Sequence, residues 1–246
     1  MQITVLASGS NGNATLVEDK HTSILIDAGK SIKEMKARAE KLGKSLENLN
    51  AVVLTHAHSD HYQSVGALSR RYHIPAYIAP EVYADCSRQL GNIDHKVFST
   101  HKAFSINTLD MHPIPVSHDV PNCGFLINDF AFFTDTGTVT LPMMHAIKKA
   151  KAALIESNHD IDKLLHCSYP DFTKQRILSD NGHLSNIQAS SAIQQHGKHL
   201  AWVLLGHLSE NSNTPQLAKT TFEHIVTPRV EYETLSRVKA SGTWEI

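Results

Sequence analysis

The sequence predicts an α/β (α+β) chain in which two sheets pack together with helices outside. Three observations lead there. Short apolar runs recur along the chain with Gly, Pro, Asn and Asp between them, which is strand punctuation. Strands come first in runs and then alternate with amphipathic segments, and the second half repeats the rhythm of the first. At 246 residues and 41% apolar, the chain can bury a sizeable core and fits one domain, 1–246, better than two.

Taken in order, ITVLA (3–7), ATLVE (14–18) and SILIDAG (23–29) read as consecutive strands, the first two joined by the turn cluster SGSNGN. SIKEMKARAEKLG (31–43) has charges at helical spacing and ends on Gly43, a C-cap residue. AVVLT (51–55) is a β-branched strand of the fully buried kind. QSVGALSRRY (63–72) and PEVYADCSRQLG (80–91) read as helices, with PAYIA (75–79) as a strand between them. Several strand candidates fill 96–134, among them CGFLIND and FAFFTD, separated by the hairpin-grade turn Asn128–Asp129. LPMMHAIKKAKA is a helix with Pro in its first turn, and AALIES is a buried strand. YPDFTKQRILSD and SNIQASSAIQQHG are helical, and LAWVLLG is a strand. TPQLAKTTFEHIV is a helix with Thr214 as N-cap and Pro215 at N1, followed by the closing strand VEYETL.

Composition narrows the function classes. The net charge of −1 offers no global basic field of the kind that marks a dedicated nucleic-acid binder, though a nuclease needs only a local groove. Lys148, Lys149 and Lys151, Arg70–Arg71, and Lys174 with Arg176 are the clusters from which such a groove could be built. The three cysteines, Cys86, Cys123 and Cys167, form neither a CxxC nor a disulfide framework, as suits a reducing compartment. No stretch has the length or apolarity of a signal peptide or a membrane span, so the expectation is a cytoplasmic protein.

The seventeen histidines stand out beside eight phenylalanines. Most, such as His21, His73, His95, His101, His145, His196, His199 and His224, sit in polar or unpatterned contexts. The segment VVLTHAHSDH (52–61) differs: His56, His58, Asp60 and His61 crowd the end of an apolar strand. In extended backbone, residues two apart point the same way, so His56 and His58 can approach one cation together. Asp60 and His61 follow where the chain turns into a helix and are aimed differently, so one motif can serve two adjacent metals.

This HxHxDH pattern after a buried strand resembles the signature of the metallo-β-lactamase superfamily, and further motifs of that family follow in order, each ending a strand. PIPVSH delivers His118, FAFFTDTG delivers Asp135, and WVLLGHLS delivers His207; upstream, SILIDAG supplies Asp27. The resemblance implies a four-layer αββα sandwich. It implies that His56, His58 and His118 hold one divalent metal, that Asp60, His61 and His207 hold a second, and that Asp135 bridges. Asp27 would orient ligands without binding metal itself. His112, near His118, belongs to no motif and reads as structural. A donor set of imidazoles and carboxylates without thiolate suits Zn²⁺ or Mn²⁺, and also Fe. Asp135 stands where some lactamases of the superfamily place a cysteine, which argues against lactam hydrolysis.

Two such cations lower the pKa of a shared water and offset charge on a substrate oxygen. A phosphodiester fits that arrangement: hydroxide attacks phosphorus in line, with Asp60 directing it. DNGHLSN (180–186) opens a helix with His183, and the resemblance gives it phosphate contact or proton donation to the leaving oxygen, as in the phosphodiesterase and nuclease branches. SGSNGNATLV, ESNHD, SYP, RILSDNGHLSN and LLGHLSENSNTP together look most like the YycJ/WalJ (VicX) group, which implies a 5′→3′ DNA exonuclease linked to mismatch repair. Gly9 and Gly12 would let backbone approach the metals closely. Ser8, Asn13, Asn158 and Ser185 are candidate substrate contacts. The alternatives are a thioester or small-ester hydrolase of glyoxalase type, a cyclic phosphodiesterase, or a non-catalytic repair partner. His58 stands where a di-iron oxidoreductase of this fold would want Glu.

Overall fold

The computed structural model describes all 246 residues, Met1–Ile246. In chain order the elements are β1 (Gln2–Ala7), β2 (Ala14–Glu18), β3 (Ser23–Ile26), α1 (Ile32–Glu40), β4 (Ala51–Val53), α2 (Ser59–Tyr62), α3 (Val65–Tyr72), β5 (Ala76–Ile78), α4 (Pro80–Leu90) and β6 (His95–Val97). Next come β7 (Phe104–Ile106), β8 (Leu109–Pro115), β9 (Cys123–Ile127), β10 (Phe130–Phe133), α5 (Leu141–Lys149), β11 (Ala152–Glu156), α6 (Ile161–His166) and α7 (Asp171–Leu178). The chain closes with α8 (Asn186–His196), β12 (Trp202–Gly206), α9 (Pro215–Ile225), β13 (Glu231–Thr234) and β14 (Thr243–Glu245). The strands and helices read from the sequence are present. Three short elements were not foreseen: α2, α6 and β14.

The elements form two mixed sheets, in the orders β14-β1-β2-β3-β4-β5-β6 and β13-β12-β11-β10-β9-β8-β7. The chain divides into two compact units, residues 1–113 with 236–246, and residues 114–235. Each unit carries a block of parallel strands. In the first, β3, β4, β5 and β6 pair in parallel, with Ile26 beside Val53. In the second, β10, β11, β12 and β13 do the same, with Phe133 beside Ile155 and Ile155 beside Leu205. Parallel strands place all their C-terminal ends on one edge, where side chains from several strands can converge.

The core of the second unit shows why these segments fold as they do. Ala131, Phe133, Ala153, Ile155, Val203 and Leu205 alternate along β10, β11 and β12 and pack against Met143 and Ile147 of α5, Ile193 of α8 and Phe222 of α9. The intervening Phe130, Phe132, Leu154 and Leu204 are buried as well. Strands covered on both faces read as continuous apolar runs, which is why AALIE and WVLLG lack alternation. In the first unit α3 lies against the end of α4 because residue 66 is glycine: a Cβ there would stand 2.1 Å from the Leu90 carbonyl oxygen. Thr214 caps α9 through its hydroxyl, with Pro215 in the first turn as the sequence indicates. No helix is long and apolar enough to cross a membrane.

Phe133 is fully buried at the centre of the second unit's core. Replacing it by alanine is expected to cost about 3–5 kcal/mol in equilibrium urea unfolding, as cavity-forming Phe→Ala changes do. A loss under about 1 kcal/mol would remove Phe133 from the core.

Candidate metal centre

In the first unit the motif VVLTHAHSDH begins on β4 and ends in α2. The chain crosses from β3 into Asp27, whose φ of 61° is left-handed, and this turns the carboxylate across the end of the neighbouring strand. Asp27 is fully buried. It accepts hydrogen bonds from the Thr55 backbone N–H at 2.9 Å, from the Thr55 hydroxyl at 3.1 and 3.0 Å, and from His61 Nδ1 at 2.7 Å. An ionised carboxylate only accepts, so His61 carries its proton on Nδ1 and keeps a lone pair on Nε2. Thr55 extends the relay. Its hydroxyl gives its proton to Asp27 and accepts from His56 Nδ1 at 2.9 Å, which leaves His56 Nε2 as a lone pair too. His56 Nε2 lies 3.1 Å from His58 Nδ1, close enough for one cation at about 2.0–2.1 Å from each to take both. Asp60 Oδ2 stands 3.6 Å from His61 Nε2.

The turn carrying Asp60 and His61 is clamped by two other loops. Asn13 N–H donates to Asp60 O at 2.8 Å, Ala28 N–H to His61 O at 2.7 Å, and Gly29 N–H to Asn13 O at 2.8 Å. Residue 29 must be glycine for this approach, since a Cβ there would lie 1.6 Å from Asp60 O. Asn13 Nδ2 also reaches His61 Nε2 at 2.9 Å, its orientation set by Gly9 N–H donating to Asn13 Oδ1. Gly9 and Gly12 take φ of 139° and 137°, as the SGSNGN turn requires. Ser8 is buried beside them.

In the second unit the site lies on the C-terminal edge of β10, β11 and β12. Asp135 and His207 follow β10 and β12 in left-handed conformations, φ 53° and 54°, repeating the device used at Asp27. Between them β11 ends on Glu156, and with His183 these residues bring their ligand atoms within 4.8 Å of one another. Asp135 Oδ1 is 3.5 Å from His207 Nε2 and 4.0 Å from His118 Nε2, a placement between two imidazoles that suits a bridging carboxylate. His118 donates from Nδ1 to Gly182 O at 3.2 Å, so its Nε2 lone pair also points inward. Burial lowers its pKa, against the pull of Asp135 and with some help from His183.

Glu156 is the functional residue that sequence reasoning passed over. It is fully buried and takes His183 Nδ1 and His207 Nδ1 on one oxygen, both at 2.9 Å. The backbone N–H groups of Leu184 (2.9 Å), Thr136 (3.0 Å) and Asp135 (3.3 Å) complete its shell. Burial by itself would raise its pKa, but His183 and His207 outweigh that and bring it down to about 2. Glu156 therefore orients two rings with their Nε2 atoms outward. The available signal was positional: AALIES ends a buried strand on a carboxylate, as SILIDAG and FAFFTDTG do.

The remaining predicted residues fall as follows. Asn158 donates to the His207 carbonyl at 3.0 Å. Ser185 caps α8 in a reciprocal capping box with Gln188. His112 is exposed, as are six of the eight histidines read as unpositioned; His95 and His196 are half-buried. Among the basic clusters, Lys151 pairs with Asp129 and Arg70 donates to the Leu90 carbonyl. Arg176 pairs with Asp119, whose other oxygen lies 3.2 Å from His118 Nε2, so the Lys174/Arg176 cluster is the one tied to these histidines.

The donor sets thus consist of imidazoles, most with Nδ1 committed to an acceptor and His58 with Nδ1 turned inward, and of carboxylates beside them, which fits divalent metal binding. A family model for the β-lactamase superfamily domain matches residues 22–207. The chain belongs to the metallo-β-lactamase superfamily. It is 36% identical over 229 residues to the exodeoxyribonuclease WalJ of Streptococcus pneumoniae, covering 89% of this chain and 85% of that protein. It is 34% identical over 238 residues to the exodeoxyribonuclease YycJ of Bacillus anthracis, covering 92% and 89%. Among solved structures, the metallo-β-lactamase fold protein YhfI from Bacillus subtilis superposes with a TM-score of 0.78 at 17% identity, covering 99% of each chain. The α/β fold expected from the sequence is therefore the fold of a superfamily of metal-dependent hydrolases.

Asp27→Ala removes the group that fixes His61, and Glu156→Gln removes the charge that holds His207. Each is expected to weaken metal affinity about 10–100-fold in a competition titration against a chromophoric chelator. Unchanged affinity in both would show that the carboxylates do not act through these rings.

Proposed function

We propose that this protein is a dinuclear metal-dependent phosphodiesterase acting as a 5′→3′ DNA exonuclease in cytoplasmic DNA repair, with residues 1–246 working as one domain. The observation that carries the phosphodiester reading is the Glu156–His183 pair beside Asp135 and His207. It supplies a fixed imidazole for a leaving oxygen, which thioester hydrolysis does not call for. The likeness to exodeoxyribonucleases along most of the chain supports DNA as the substrate.

In this reading His56, His58 and His118 would hold one cation and Asp60, His61 and His207 the other, with Asp135 available to both; Zn²⁺ or Mn²⁺ would suit the donors, with Fe a third choice. When bound, the cations acidify water and offset charge on the phosphate oxygens. Asp60 accepts a hydrogen bond from the attacking water and sets its direction toward phosphorus. Asn13, which donates toward Asp60 Oδ2 at 3.4 Å, steadies that carboxylate. His183 has Nδ1 committed to Glu156, so the proton passes to the leaving oxygen from Nε2. In this reading Ser8 and Asn158 are the candidate contacts of the terminal nucleotide, while Ser185, with hydroxyl and N–H both committed to Gln188, caps α8.

The test is digestion of 5′-phosphorylated and 5′-hydroxyl DNA oligonucleotides with added Mn²⁺ or Zn²⁺, beside bis(p-nitrophenyl) phosphate and a thioester. Oligonucleotide cleavage is expected, falling steeply with salt as phosphate contacts are screened. His58→Ala should lose at least about a hundredfold in rate, because one cation site is emptied or distorted. Near-parental activity in that variant, or turnover of the thioester alone, overturns the proposal.

His183→Ala is expected to retain bound metal and lose about 10²–10⁴-fold in oligonucleotide cleavage, the usual worth of a general acid. A much smaller loss with p-nitrophenolate, a leaving group that needs no proton, should accompany it. Equal losses on both substrates would remove His183 from proton transfer.

A further inference from the structure

Helix α7 is poorly integrated into the second unit. Only Ile177 among its eight residues is buried, and Phe172 stands 74% exposed. Yet α7 is tied to the metal-site histidines at its C-terminal end. His183 N–H donates to Ile177 O at 3.0 Å, and Arg176 pairs with Asp119 next to His118. Phe172 and Arg176 are four residues apart and share one helix face, separated by about 6 Å along the axis. At the other side Lys174 Nζ donates to Leu165 O at 2.8 Å and braces α7 against α6. The helix is therefore held at its C-terminal end and braced at its middle, although little of it is buried.

Resting on the nuclease reading above, we propose that the Phe172–Arg176 face of α7 is a subsite for single-stranded DNA. One base of the strand leading to the reaction centre stacks on the Phe172 ring, and its phosphate meets the free N–H groups of Arg176. The chemistry favours a nucleic-acid strand. An aromatic ring stacks on any base, a guanidinium paired to one carboxylate still has donors for a phosphate, and neither needs an enclosing pocket. A protein partner fits less well. The exposed apolar residues of α6 and α7, Ile161, Leu165, Phe172 and Leu178, alternate with the exposed ionisable Asp162, His166, Asp171 and Arg176, whereas a stable protein interface needs about 800 Å² on each side with a core depleted of charge. Stacking reads no sequence, so the subsite adds affinity and register to the strand without base preference.

The experiment is equilibrium binding of a non-cleavable phosphorothioate DNA oligonucleotide carrying 2-aminopurine near its 5′ end, using the metal-loaded protein. Stacking on Phe172 is expected to quench the fluorophore. Phe172→Ala should raise Kd about tenfold and abolish the quench, within the range measured for loss of one stacked base. Phe172→Trp should restore both, and Val238→Ala, an exposed apolar residue of the other unit, should leave both at the parental value. Unchanged Kd and quench in Phe172→Ala overturn the subsite. Tight binding lost in Phe172→Ala, in a protein that cleaves no DNA, would leave the subsite standing and the nuclease reading fallen. A parent that binds no oligonucleotide overturns both.

Discussion

Burying a carboxylate without partners is prohibitively costly, and the whole site follows from how this chain meets that cost. Asp27 and Glu156 are both fully buried at the ends of parallel strands, and both are surrounded by donors. Backbone N–H groups from neighbouring loops supply part of the shell; imidazole Nδ1 atoms and, at Asp27, the Thr55 hydroxyl supply the rest. The imidazoles that satisfy the carboxylate are thereby locked in one tautomer and one orientation. Each unit uses the same solution with a different residue type, Asp with a threonine relay in the first and Glu with two rings in the second.

A second cost is stored in the backbone. Asp27, Asp135 and His207 take positive φ within two residues of a strand end, a conformation that costs a non-glycine residue of order 1–3 kcal/mol. The strain aims each side chain across the strand ends, where a relaxed turn would send it along the chain. It is maintained because the flanking strands, β3, β10 and β12, are buried and paired on both sides in their sheets and cannot yield. The glycine at 29 serves the same end by letting the Asp60 carbonyl approach where any side chain would block it.

These constraints distinguish the rigid part of the protein from the part suited to meeting a polymer. The histidines sit on strand ends and short clamped turns, while α7 presents an aromatic and a cation on an exposed helix fastened at its C-terminal end. Chemistry that requires sub-ångström placement rests on the sheet edge. Contacts that must accept any base sequence rest on the surface, where stacking tolerates variation.

The sequence by itself determined the strand and helix rhythm, because buried parallel strands must be apolar throughout and amphipathic helices must show their period. It also singled out the HxHxDH cluster by its crowding at a strand end, while Asp135 and His207 became ligand candidates through the resemblance, which their motifs TDTG and GHLS carry in order. It did not disclose β14, whose Thr243–Glu245 has no apolar signature and exists through pairing with β1 at the far end of the chain. Nor did it disclose the short helices α2 and α6, too brief for a period to register. The role of Glu156 was decided by tertiary structure alone. A glutamate ending a strand is an ordinary surface residue until loops around Thr136, Leu184 and His207 bring five donors to it, and hydrogen-bond saturation by distant segments leaves no mark in local sequence.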